Sequence, residues 1–145
     1  MTRLHCVDTN LFIDAGRSDD AASALQAFVS GRTGFVVLSA VVAQELRTGA
    51  RGKTQIDWLE NHVIGPYERR ARLITPTYWA WKECGRILSV LFGRGALSEV
   101  PRSFVNDVLL AMSCRESGVV LVTANLRDFE RIAKVKKFSF VPPWP

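Results

Sequence analysis

Histidine is scarce in this chain of 145 residues: His5 and His62 are the only two. Their placement supports neither a His-rich metal site nor a triad built on an imidazole base. Cysteine is almost as rare, with Cys6, Cys84 and Cys114 odd in number and far apart. They form no CxxC pair and no zinc spacing. Cys6 in a strand run and Cys114 in a helical run read as buried free thiols. A glycine-rich phosphate loop and an Asp-x-Asp pair are both missing, which argues against phosphatase or nucleotidyl-transfer enzymes on other α/β folds. No apolar stretch reaches the roughly 18 residues needed to cross a membrane. The N-terminus lacks the basic segment, apolar region and cleavage site of a secretory signal, so the cytoplasm is the expected location. Internal repeats and low-complexity tracts are absent too, and one domain over residues 1–145 is expected.

What is present is an ordinary globular composition, 48% hydrophobic and 23% charged. Nineteen basic against 14 acidic residues leave a net charge of +5, which modestly favours a polyanionic partner such as nucleic acid. Short apolar runs alternate with helical periodicity. Strands are expected at 3–7, 35–38, 72–75, 119–122 and 138–141. Helices are expected at 10–15, closed by Gly16, and at 21–29. A third runs from a Ser39 cap to Thr48. Another spans 55–63, ended by Gly65-Pro66. The last three cover 77–91, 102–117 and 126–132. Trp81, Cys84, Leu88 and Leu91 recur at three- and four-residue steps and read as core. Strands alternating with helices imply an α/β fold, a three-layer sandwich around a mainly parallel sheet.

The first strand, Leu4 to Val7, ends abruptly on Asp8-Thr9-Asn10. Its apolar run fits a strand covered on both faces, and ligands of parallel sheets bind beyond the carboxyl ends of strands. Asp8 is equally a good helix cap. A second strand ends in the same way, Val122-Thr123-Ala124-Asn125. Glu45 borders the apolar side of the helix after the second strand. Asp107 lies mid-helix, where Asp has poor propensity, and Asp128 lies in a short helix further on. If these acids meet at one sheet edge, they repel, and a cation would hold them together. Oxygen ligands without His or Cys suit magnesium or manganese, and such ions can activate water and offset charge on a phosphoryl group. Each acid also has a structural reading, as a helix-start or surface residue.

Taken in order, Asp8-Thr9-Asn10, Glu45 within Ser39 to Leu46, Asp107, and Thr123-Ala124-Asn125-Leu126-Arg127-Asp128-Phe129 resemble the motifs of the PIN-domain family. The likeness covers essentially the whole chain and is nearest to the VapC-type toxins of bacterial toxin–antitoxin pairs, including the Pro143-Trp144 near the C-terminus. The resemblance implies a PIN-like fold and a metal-dependent endoribonuclease using Mg2+ or Mn2+. It also implies a homodimer inhibited by a cognate antitoxin. Asp8, Glu45, Asp107 and Asp128 would be the catalytic acids and metal ligands, with Asn125 standing where some members carry an acid. Asn10, Thr123 and Asn125 would orient carboxylates or water, and Arg47, Arg51 and Lys53 would contact RNA. The alternative is an RNA-binding PIN-like domain that no longer cuts.

Overall fold

The computed structural model describes residues 3–145. In chain order the elements are β1 (His5–Val7), α1 (Thr9–Arg17), α2 (Asp19–Gly31), β2 (Val36–Ser39) and α3 (Ala40–Gly49). There follow α4 (Gly52–Trp58), a π-helical turn (Leu59–Ile64), α5 (Gly65–Arg69), β3 (Leu73–Ile74) and α6 (Tyr78–Phe92). A 3-10 turn (Leu97–Glu99) leads into α7 (Arg102–Glu116), β4 (Val120–Val122), α8 (Leu126–Ala133) and β5 (Phe140–Val141).

The strands lie in the order β3-β2-β1-β4-β5, and every pairing is parallel. His5 stands opposite both Val36 and Val120. The chain builds outward from β1 to β3, then returns to add β4 on the other side of β1. The order therefore reverses between β1 and β4, and the crevice beyond their carboxyl ends is where such sheets bind ligands.

The period of two along each strand separates two cores. Cys6, Val37 and Leu121 face one way and pack with Val42 of α3, Ile87 of α6, Val108 of α7 and Phe129 of α8. Val7, Val36 and Val122 face the other way, toward Leu11 of α1 and Phe28 of α2. This is the expected three-layer sandwich. The C-terminal tail completes the second layer. Trp144 packs at a tilt against Phe28 with ring centroids 5.1 Å apart, and Arg32 lies over the same ring while donating to the Pro145 backbone oxygen at 2.7 Å. The three cysteines are buried and free, as expected.

Several boundaries differ from expectation. Gly16 does not end α1, which runs on to Arg17. Ser18 is the stop, its N–H bonding the Asp14 carbonyl, and its hydroxyl also caps α2. Gly65-Pro66 does not break the helix either. The π-helical turn widens the backbone before it, and Pro66 falls in the first turn of α5, where a missing N–H is tolerated. Gly65 is required there: a Cβ would lie 2.4 Å from the Glu60 carbonyl oxygen. Phe35 stays outside β2 and is 41% exposed, its N–H closing a turn onto Arg32. The last strand shortens to two residues. Trp81 is not core; with Tyr78 and Trp79 it lies on the open face of α6, while Ala80, Cys84 and Ile87 are buried.

Candidate active site

Asp8 follows directly on β1. Its backbone is extended, and it caps α1 by accepting the Thr9 N–H on Oδ1 at 2.8 Å. Its other oxygen accepts the Thr123 hydroxyl at 2.7 Å, from the matching end of β4. The capping and site readings are therefore compatible: one oxygen starts the helix and the other joins two strands. Asp8 is 4% exposed. Burial raises its pKa first of all; the hydrogen bonds from Thr123 and Thr9 oppose this, and the charge of Glu45 adds to it.

Thr123 is fully buried, and its oxygen also accepts the Asn125 N–H at 3.0 Å. Thr123→Val keeps the shape and leaves Asp8 Oδ2 and the Asn125 backbone N–H without these partners. The expected cost is about 1–3 kcal/mol, a fall of several degrees in the melting temperature measured by circular dichroism. Thr123→Ser should restore most of it; equal losses in both variants would remove the hydroxyl from this role.

Glu45, on α3, is half-buried and held at both oxygens. The Thr9 hydroxyl donates to Oε1 at 2.7 Å and the Asn106 amide approaches Oε2 at 3.4 Å. Asp128 in the first turn of α8 accepts the Asn125 side-chain amide at 3.1 Å. Asp107 on α7 is the centre of the group. Its pKa is pushed up to about 8, by burial first and then by the charges of Asp8, Glu45 and Asp128 in that order. The four acids named from the sequence thus share one electrostatic environment at the carboxyl edge of the sheet.

Two partners were not legible in the sequence. Thr9, not Asn10, reaches Glu45; Asn10 is exposed. Asn106 is the other. Their only sequence signal is adjacency to Asp8 and Asp107. The basic candidates are placed elsewhere. Arg47 is engaged by Glu60 at 2.5 Å and by Glu68 at 3.5 Å. Lys53 pairs with Asp57 at 2.6 Å. Arg51 is exposed just before α4.

The donor set is suited to a hard cation: oxygen only, in excess of any local positive charge. Among the described residues, no Lys or Arg forms an ion pair with any of the four acids. In their present rotamers no three carboxylate, thiol or imidazole groups among the described residues are close enough to share one ion. The acids repel across a gap and do not touch.

A family model described as PIN domain matches residues 5–135. No curated protein matches the chain by sequence. Among solved structures, the chain is similar to that of DNA-bound VapBC from Salmonella typhimurium, with a TM-score of 0.70 and 22% identity over 97% of this chain and 98% of the other. It is similar to VapBC2 from Rickettsia felis bound to a promoter DNA fragment, with a TM-score of 0.66 and 19% identity over 98% and 99%. A third likeness is to FitAcB from Neisseria gonorrhoeae, with a TM-score of 0.68 and 16% identity over 97% and 99%. These identities speak for a shared fold.

Proposed function

Because the chain belongs to the PIN domain family, we propose that it is a metal-dependent endoribonuclease, the toxin of a toxin–antitoxin pair. The observation that carries this reading is Asp107, which feels the charges of three other carboxylates and, among the described residues, forms no ion pair. Asp8, Glu45, Asp107 and Asp128 would hold Mg2+ or Mn2+. When bound, the ion would supply a more acidic water and positive charge to offset the negative charge developing on a phosphoryl group. The protein's part is positioning. Thr123 and Thr9 hold Asp8, Thr9 and Asn106 hold Glu45, and Asn125 holds Asp128. Such supporting bonds fix the orientation of ligand groups before an ion arrives. The test is cleavage of a structured RNA with magnesium or manganese and with EDTA. Cleavage that stops in EDTA and returns with added metal is the expected result; cleavage that persists in EDTA removes the metal mechanism.

Two surfaces suit partners. An open groove of about 880 Å3 includes Phe12, Leu25, Val29, Trp58 and Tyr67 in its lining, together with Arg70. An antitoxin segment with apolar and acidic side chains would fit it, leaving a basic residue of the same segment to approach the carboxylates. The first turn of α6 carries Tyr78, Trp79 and Trp81, 65%, 67% and 57% exposed, with the Tyr78 and Trp79 rings 5.3 Å apart. We assign that aromatic surface to a second copy of the chain. Light scattering at micromolar concentration should give twice 16.2 kDa, and Trp81→Glu should return it to the monomer value. A wild-type chain of 16.2 kDa would count against the dimer.

A further inference from the structure

Beyond the opposite edge of the sheet, where β1, β4 and β5 begin, lies a second cavity of about 440 Å3. Its charged lining is entirely basic, Arg3, Arg115 and Lys137, with the Ser139 hydroxyl beside them. We propose that this pocket binds a phosphate group.

Three observations support it. The first is that the cations are unneutralised: among the described residues none of the three forms an ion pair. A neighbouring carboxylate, Glu83, feels Arg115 and Lys136 but is held by Arg86 through bonds of 2.9 and 3.1 Å. The second is that the guanidinium groups are anchored with donors to spare. Arg115 spends its Nε on the Lys137 carbonyl at 3.1 Å, and both terminal nitrogens of Arg3 reach Ser139 Oγ at 3.4 Å. Anchored Arg donors match phosphate oxygens in pairs, which is the geometry such sites use. The third is concavity. The volume falls in the range of small-ligand pockets, about 300–1,000 Å3. Arg115 also lies in the last turn of α7, where carbonyl ends favour one cation. Three around one hollow exceed what a single helix end calls for.

Arg3 and Asp8 are five residues apart along one extended strand, or about 16 Å. A phosphate in this pocket is therefore not the one at the acidic edge. It comes either from the backbone of a long or folded nucleic acid that wraps the domain, or from a free phosphate or small phosphorylated molecule. The chemistry is the same, and two measurements separate the sources. Both are made in EDTA, so they read binding with no cleavage and are independent of whether the acidic site cuts.

In the first, inorganic phosphate is titrated at constant ionic strength and the melting temperature followed, for wild type and for Arg115→Gln/Lys137→Gln. The wild type should gain a few degrees, and the double variant should not. In the second, fluorescence anisotropy follows a labelled RNA hairpin as salt is varied. If the hairpin supplies the phosphate, the double variant binds several-fold more weakly and its salt slope falls by about 1–2, near one unit per phosphate contact. Loss of the phosphate response with hairpin binding unchanged assigns the pocket to a free phosphate compound. If the double variant fails to fold, Arg3→Gln is measured in its place, since Arg3 is exposed and, among the described residues, its side chain bonds only Ser139. Identical responses of wild type and variant in both measurements overturn the proposal and leave the cations as neutralisers of the end of α7.

Discussion

Asp8→Asn is expected to abolish RNA cleavage, by at least about a hundredfold, while the far-UV circular dichroism stays that of wild type. The fold should survive for a local reason. The Asn oxygen can still accept the Thr9 N–H, and Asn is as good a helix cap as Asp. The Asn amide then faces Thr123, whose hydroxyl oxygen has two lone pairs and can accept it as well as the Asn125 N–H. What disappears is the charge. Changing groups that merely support a metal ligand costs 10- to 100-fold, so removing a ligand charge should cost at least that. Near-wild-type cleavage by Asp8→Asn, assayed with millimolar magnesium on the same RNA, would take the carboxylate out of the chemistry.

The second large effect is a reversal. Asp107 titrates near 3.8 when unperturbed and is pushed up to about 8 in the fold. Between these values the folded chain keeps a proton that the unfolded chain has released. The contribution of Asp107 to the stability of the metal-free protein therefore falls as pH rises from about 4 to about 8. Asp107→Asn removes that dependence, so in EDTA at pH 8 it should melt at or above wild type. Manganese acts in the opposite sense, because it favours the charged carboxylates and binds only the folded form. At about a hundred times its dissociation constant it should raise the wild-type melting temperature by roughly 5–10 °C. Asp107→Asn should gain only a small part of that. Thermal scans of both proteins at two pH values, with EDTA and with manganese, give the eight curves needed. Equal metal-induced shifts would leave the carboxylate cluster without its centre.

Much of the site was legible because strand ends are abrupt. Asp8 and Thr123 each close an apolar run, and parallel pairing of β1 with β4 then brings them within one hydrogen bond. Glu45 and Asp107 were legible as members of the group only through the family resemblance, since helical spacing alone also fits surface positions. Thr9 and Asn106 were missed because their contacts depend on how α1 and α7 approach α3, which no local pattern states. The helix across Gly65-Pro66 was misread for a backbone reason: a π-helical turn alters the spacing on which the breaker rule rests. Trp81 was misread because apolar spacing shows which residues could face a core, not whether a second layer covers both sides of the helix. α6 packs mainly on α7, and its aromatic residues remain outside.

The bond between Asp8 and Thr123 spans 115 positions, which gives the site a birth order. A polypeptide still being synthesised holds Asp8 and Glu45 early and Asp107 late, and β4 later still. Until residues 120–123 have left the ribosome and slotted in beside β1, Asp8 has no Thr123 and the acids have no common edge. Chains fold from the N-terminus as they emerge, yet here β1, which can pair with β2 early, gains its second neighbour only when β4 has been made. On the proposed function, a nascent chain of this sequence cannot cut until β4 has been made and has brought Thr123 to Asp8.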